Sequence, residues 1–513
     1  MTWSETVTID FTAPLDVAPE SAHHAQAAAG NAAIADAAIG VLRDALSGDA
    51  DIERLLLRAA AGAGKSYVLR RLVGDILGHP DVERVAITAF TNKQTYPLAR
   101  ELANALRPSH GPEAVVLLVA DRRRSEVPPD VESSAVVVTS TKEIPHAARV
   151  VIAPIHKLGS HWPKQFTEAL GPGSNGDAPF DVLFVDEAWQ VAHYLFDKVT
   201  RHAPIWVGVG DVGQIPPLEI GQNPWRGDAG YNPYRAWPTE FENGDARTWV
   251  EELPSVWRPT TGQLALWRAF YPDWSTLDCV VAPGDRVVQF GEMSPAATAV
   301  WAQVASGVPT LLEVDGLPDP DAPDVDVPLM NVVESLLDEL LASGLSLRSR
   351  RYDGSGSPTT DEEIVTPGKP HSDPIIAVLA TRNQAVDDAA ASVERLAATH
   401  ELLENDVVSS TVDSWQGQTN GITVAVHPLS GAVRLDDFNS QFGRLAVTCT
   451  RATHGLLVVS RPGLDTLLSD APARPGTPIG EPGFRTLPRQ THQRILATFA
   501  RGTLVVAPNT EGD

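Results

Sequence analysis

Three stretches carry residue types and spacings suited to phosphate chemistry. Gly64, Lys65 and Ser66 close a small-residue loop that follows the apolar run Leu55, Leu56, Leu57 and precedes YVLRRLVGDIL, which has helical spacing. Strand, small-residue loop and helix N-terminus form a phosphate cradle. The backbone N–H groups of Ala61, Gly62, Ala63 and Gly64 can point at phosphate oxygens because no bulky side chain intervenes. The Lys65 ammonium can reach the β and γ oxygens, and the Ser66 hydroxyl can bind Mg²⁺. Ala59 stands where the pattern has its first glycine. The second stretch, FDVLFVDEAWQV at 180–191, is a near-continuous apolar run ending in Asp186 and Glu187. A carboxylate pair at such a strand end suits Asp186 as a Mg²⁺ ligand and Glu187 as the group that polarises the attacking water. The third, IWVGVGDVGQIPP at 205–217, ends in Asp211 and Gln214.

The elements that position these groups can be read in order. Strands buried on both faces of a parallel sheet are near-continuous apolar runs, which is how all three stretches begin. Residues 20–48 are alanine-rich with helical spacing, and Gln26 in the first turns is a candidate for the adenine edge. In ERVAITAFTNKQTYPLARELANAL a strand leads into a helix, and the loop between carries Phe90, Thr91, Asn92 and Lys93. Residues 114–153 hold three short apolar runs, of which the middle one suggests a small insertion at 107–148. The triplet Arg122, Arg123, Arg124 there has the character of a solvated charge run. Residues 218–250 break the strand–helix rhythm. There Trp225, Tyr231, Tyr234 and Trp237 alternate with Arg226 and Arg235, a composition suited to base stacking beside phosphate contacts. A Pro-pinned loop whose rings cap the first domain's core fits the same residues. A second strand–helix series begins at ELPSVWRP, with a surface loop expected at 353–373 and a closing helix at LPRQTHQRILATFA. The expected domains are 1–250 and 251–513.

With 513 residues and 43% apolar content, two domain-sized cores can be buried. A formal charge of −25 argues against nonspecific coating of nucleic acid, though not against a local basic channel. Only seven of the 40 basic residues are lysine; arginine suits phosphate recognition, but a GC-rich genome explains the bias more simply. Cys279 and Cys449 form neither a disulfide framework nor a metal-ligand spacing and are expected in the core, consistent with a reducing cytoplasm. No stretch resembles a membrane span, and MTWSETVTIDFTAP lacks a signal-peptide apolar core, so no membrane partner is expected.

Taken together, the chain resembles a superfamily 1 helicase, in the 1B-like branch of the nonsense-mediated-decay helicase and senataxin. AAAGAGKS looks like motif I, AFTNKQ like the strand-contacting motif Ia, VDEAW like motif II and GDVGQIPP like that branch's motif III. VWRP at 256–259 resembles motif IV, STVDSWQGQ motif V and VTCTRATHG motif VI. NVVE at 331–334 and ATRNQ at 380–384 fall where the branch has its own signatures. The order of matches runs from about residue 52 to 460. The resemblance implies an α/β fold of two tandem RecA-like domains with parallel sheets and ATP in the cleft between them. It implies roles for Lys65, Ser66, Asp186, Glu187 and Gln214 in the first domain, and for Arg258, Gly417 and the arginine finger Arg451 in the second. Phe90, Thr91, Asn92 and Thr411 would contact a single strand of DNA or RNA, with Trp225 and Tyr234 added from the aromatic segment. The implied activity is Mg-ATP hydrolysis driving 5′ to 3′ movement, with a protein partner in repair, RNA turnover or defence. The alternative is a nucleotide-switched binding or scaffold ATPase that does not unwind.

Overall fold

A computed structural model of the chain describes residues 9–17, 20–174, 176–213, 215–217, 232–242, 245–320, 325–381, 383–435, 439, 442–471 and 488–506. The chain divides into two compact units: Gly30–Val212 with Pro216–Leu253, and Met1–Ala29 with Gly213–Ile215 and Pro254–Asp513. The first 29 residues, expected in the first domain, thus group with the second unit. Backbone pairing gives the reason. Thr12 exchanges hydrogen bonds with Arg501 at 2.9 and 3.1 Å, and Ile9 joins the second unit's core at 5% exposure.

The first unit is built on eight parallel strands. They are β1 (Arg54–Ala59), β2 (Val85–Ala89), β3 (Val115–Leu118), β4 (Val136–Val138), β5 (Val150–Pro154), β6 (Val182–Asp186), β7 (Ile205–Gly210) and β8 (Thr248–Leu253), in the order β4-β3-β5-β2-β6-β7-β1-β8. The strand runs are Val/Leu/Ile-rich because both sheet faces are covered: Leu55, Leu56, Leu57 and Val182 to Val185 are all at 0% exposure. Helix α1 (His24–Ser47) spans the division between the units. By length and a hydropathy of 1.2 it would pass for a membrane span. Ala35, Ala38 and Leu42 on it are nevertheless buried against protein. Helix α2 (Lys65–Ile76) buries Val68, Leu69, Leu72, Val73 and Ile76, the face its spacing foretells. Helix α3 (Asn92–His110) opens with a capping box between Thr91 and Gln94 and buries Leu98, Leu102 and Leu106.

The expected insertion at 107–148 does not leave the sheet. Val136–Val138 pairs in register with Val116–Leu118 and forms the sheet edge. Short β-branched runs joined by polar turns can be sheet or insertion by pattern alone. In that region Arg123 pairs with Glu126 and Arg124 with Glu132, as a solvated charge run does.

The second unit contains β9 (Ser255–Val256), β10 (Asp278–Cys279), β11 (Arg286–Gln289), β12 (Thr310–Asp315), β13 (Ser346–Tyr352), β14 (Pro358–Val365), β15 (Ile376–Ala380), β16 (Val407–Thr411), β17 (Asn420–Val426), β18 (Ala452–Ser460) and β19 (Ala500–Val505). Six of them form a parallel sheet in the order β16-β15-β17-β18-β12-β19. Two large parallel sheets with helices between their strands make the fold α/β, as read from the sequence. Strands β11, β13 and β14 make a separate antiparallel sheet. The surface loop expected at 353–373 is therefore largely a hairpin. Its turn is tied by Asp353 Oδ1, which accepts from the backbone of Ser355 at 2.8 Å and Ser357 at 2.9 Å. Its strands carry charge on exposed positions, so they lack the apolar alternation that announces a strand. The closing helix Pro488–Leu496 is followed by one more strand, β19, which pairs with β12.

Candidate nucleotide-binding site

In the first unit the loop after β1 turns through two left-handed glycines, Gly62 (φ 73°) and Gly64 (φ 91°), and α2 starts at Lys65. Glycine is the residue that takes this conformation without a Cβ clash. Ala60, Ala61 and Ala63 are buried, leaving only backbone to face a ligand. Asn31 on α1, 6% exposed, donates from Nδ2 to the Ala63 carbonyl at 2.9 Å and so ties the loop from outside. Nothing in the local pattern of an alanine-rich helix singled out Asn31.

The sheet order sets β7 between β1 and β6, so the chemistry of the two strand ends converges. Lys65 Nζ lies 3.0 Å from Glu187 Oε1 and 3.2 Å from Oε2. It also lies 3.8 Å from Asp211, whose side chain is at 0% exposure. By sequence Asp211 is only a strand end; the fold makes it part of the lysine's carboxylate surround. Glu187 sits in the left-handed region (φ 50°, ψ 45°), a conformation costing a non-glycine residue about 1–3 kcal/mol. The turn Glu187–Gln190 can lie this close to β7 because residue 210 is glycine. A Cβ there would meet the Ala188 nitrogen at 2.7 Å and Trp189 Cε3 at 2.7 Å.

Burial pushes the Asp186 carboxyl up, to about 7, with the Glu187 charge adding to the effect and Lys65 opposing it. A hard cation beside Asp186 would offset that cost, so the Asp186 carboxylate and the Ser66 hydroxyl fit an oxygen-ligated divalent ion. No cluster of three or more His, Cys, Asp or Glu able to hold a metal by themselves occurs among the described residues.

Phe90, Thr91 and Asn92 form the turn from β2 into α3. The Thr91 hydroxyl accepts from the Gln94 backbone at 3.3 Å, and Gln94 Oε1 accepts from the Thr91 backbone at 2.9 Å. The Phe90 ring stands 6.0 Å from that of His156. Since β2 neighbours β6, this turn lies beside the Glu187 turn: Gln94 Nε2 donates to Gln190 Oε1 at 3.0 Å, and Gln190 Nε2 to Glu187 Oε2 at 3.2 Å. Gln94 closes AFTNKQ and Gln190 follows VDEAW, and no local pattern gives either a role.

Within the second unit, Arg258 Nη1 donates to the Thr450 carbonyl at 3.1 Å. The adjacent Arg451, 1% exposed, donates to the carbonyls of Val447 at 3.2 Å and Gln418 at 3.4 Å. Gly417 (φ 86°) immediately precedes Gln418, so the three predicted residues share one neighbourhood. Thr411 ends β16 and its hydroxyl accepts from the Ser414 backbone at 3.1 Å. Gln26 is exposed near the start of α1. An unforeseen residue, Arg286, holds this region: its guanidinium donates to the carbonyls of Trp257 at 2.9 Å and Thr453 at 3.1 Å, tying the VWRP segment to the start of β18. Cys279 and Cys449 are buried free thiols, as expected.

Gln214 and Trp225 lie outside the described residues. Tyr234 is half-buried, its ring 5.5 Å from that of Tyr194. Trp237, grouped by sequence with the stacking aromatics, belongs to the core: it is at 0% exposure and lies flat on Phe196, 3.8 Å between centroids.

No family model and no curated protein matches the chain. Among solved structures, it is similar to a PRRSV helicase at 14% identity and a TM-score of 0.35, over 82% of this chain and 54% of that one. It is also similar to arterivirus nonstructural protein 10 (helicase) in complex with DNA, at 13% identity and a TM-score of 0.36, over 80% of this chain and 61% of that one. The chain thus spans between half and two thirds of the length of these structures.

Proposed function

We propose that the chain is an ATP-dependent nucleic-acid helicase or single-strand translocase of superfamily 1, moving 5′ to 3′. The observation that carries the proposal is the meeting of Lys65, behind its two left-handed glycines, with Glu187 at 3.0 Å beside a buried, unusually basic Asp186. A lysine at a helix N-terminus facing a strand-end carboxylate pair is the equipment of nucleoside triphosphate hydrolysis. The loop N–H groups and Lys65 hold the β and γ phosphates. Ser66 and Asp186 would hold Mg²⁺, which neutralises charge on the phosphate oxygens. Glu187 orients the attacking water and draws off its proton. Arg258 and Arg451 are assigned to the charge developing on the γ-phosphate, a contribution worth roughly 10³–10⁵ in rate. The strand is assigned to Phe90, Thr91 and Asn92, to Thr411, and to Trp225 and Tyr234.

ATP turnover of the full chain with oligo(dT), with oligo(U) and with neither tests this reading. Turnover stimulated by either strand supports a motor and chooses DNA or RNA. Turnover indifferent to both supports a nucleotide-switched binding protein, and no turnover overturns the assignment. Duplexes tailed at one end test direction, since preferential opening of 3′-tailed substrates would reverse it.

A further inference from the structure

The hydrogen bonds that run from the Thr91 turn to Glu187 form one unbroken line, and chemistry dictates their polarity. The Thr91 backbone N–H can only donate, so Gln94 presents its amide oxygen to it, at 2.9 Å. The Gln94 NH₂ is thereby left to donate to Gln190 Oε1, at 3.0 Å. The Gln190 NH₂ must then face Glu187, whose carboxylate can only accept, at 3.2 Å. Neither amide can turn over without setting oxygen against oxygen. Gln190 is 6% exposed, so water does not readily replace it. Glu187 is thus held by Lys65 on one side and by Gln190 on the other. Lys65 Nζ engages both carboxylate oxygens, at 3.0 and 3.2 Å, and Gln190 Nε2 engages Oε2 at 3.2 Å, so the carboxylate is fixed in position and its oxygens are already occupied as acceptors.

Taking the strand-dependent hydrolysis proposed above as premise, we propose that Gln94 and Gln190 are positioning residues that restrain Glu187 until a single strand engages the Phe90–Asn92 turn. Strand contact there disturbs the Thr91 cap, Gln94 turns from Gln190, and Gln190 in turn lets go of Glu187; with Lys65 drawn to the phosphates of bound ATP, Glu187 is freed to take the water's proton. The restraint and the strand-contacting turn are then one device, contained in adjacent strand ends of one sheet.

Gln94→Glu isolates the device. A glutamate still accepts from the Thr91 N–H, so the capping box and the start of α3 are kept. It cannot donate to Gln190, and a Gln190 that turns to meet it withdraws its donor from Glu187. Gln190→Ala removes the same donor by a second route. The experiment measures kcat of the full chain with and without the stimulating oligo(dT) or oligo(U), together with strand affinity, the KM for ATP and melting temperature. Expected for both variants is strand-independent turnover raised by about threefold or more, with the stimulation ratio falling to within about twofold of unity. Strand affinity, KM and melting temperature of Gln94→Glu should match wild type. A wild-type protein indifferent to both strands would overturn the proposed function itself. A stimulated wild type whose ratio survives in both variants would overturn the relay alone. Gln94→Glu turnover below the unstimulated wild-type rate would likewise overturn it, since the line would then assist Glu187 rather than restrain it.

Discussion

Gly210→Ala measures how tightly the position of Glu187 is set by its packing. An alanine Cβ at 210 would lie 2.7 Å from the Ala188 nitrogen and from Trp189 Cε3, against an ordinary contact of 3.4 Å, so the Glu187 turn must retreat by about 0.7 Å. Backbone and a buried indole ring cannot swing aside as a flexible side-chain end would, so strain is shared between β7 and the turn. Overpacking of this kind costs about 1–3 kcal/mol. For a unit of this size each kcal/mol lowers the melting temperature by roughly 2–4 °C, giving a fall of about 2–12 °C. A misplacement near 1 Å in a catalytic group costs on the order of 10² in rate, so kcat should fall about tenfold to a hundredfold. The KM for ATP should change little, since the loop after β1 is untouched. Gly208→Ala is the control: its Cβ would meet Trp237 Cζ2 at 2.8 Å, a comparable clash away from Glu187. It should lower the melting temperature while leaving kcat per folded molecule near wild type. Equal kcat losses in the two variants, or a Gly210→Ala with wild-type kcat, would refute the claim that Gly210 sets the turn.

Lys65→Ala and Glu187→Gln should both abolish turnover, but only the first should weaken ATP binding; titration with a fluorescent ATP analogue separates them, and equal large losses would mean Glu187 is misassigned. With its carboxyl raised to about 7 from an ordinary 3.8, Asp186 makes the native state bind the extra proton between these values. Stability from this group therefore declines as pH rises through that window, and Mg²⁺ binding releases a proton and weakens below about pH 7. Calorimetry in buffers of different ionisation enthalpy would detect that proton, and its absence near pH 6 would count against Asp186 as a ligand. Trp237→Ala should cost about 3–5 kcal/mol in thermal or urea unfolding, because it empties a fully buried stacked site. Tyr234→Ala should instead weaken single-strand binding about tenfold with little change in melting temperature; a large stability loss at unchanged affinity would make Tyr234 structural as well.

Much of the proposed nucleotide site is legible in residue order because phosphate chemistry makes its demands over contiguous chain. A loop that cradles phosphate must be small, its lysine and hydroxyl must follow at once, and a strand that ends in Asp186 and Glu187 must be apolar throughout to lie inside a parallel sheet. Such local requirements leave a local trace, and β1, β6, β7 and α2 were readable from it. What only tertiary structure decided concerns partners far apart in the chain. Thr12 pairs with Arg501, 489 positions away, so the N-terminal residues group with the second unit. The hairpin of β13 and β14 carries charge on exposed positions and owes its existence to backbone pairing, which leaves no periodicity in side chains. Asn31, Gln94, Gln190 and Arg286 act through hydrogen bonds to carbonyls and amides brought near by folding, and a lone polar residue in sequence is the same whether it meets solvent or a backbone oxygen. Trp237 makes the same point: its composition suited either a base or the core, and the choice fell to the stacked face that Phe196 offers it.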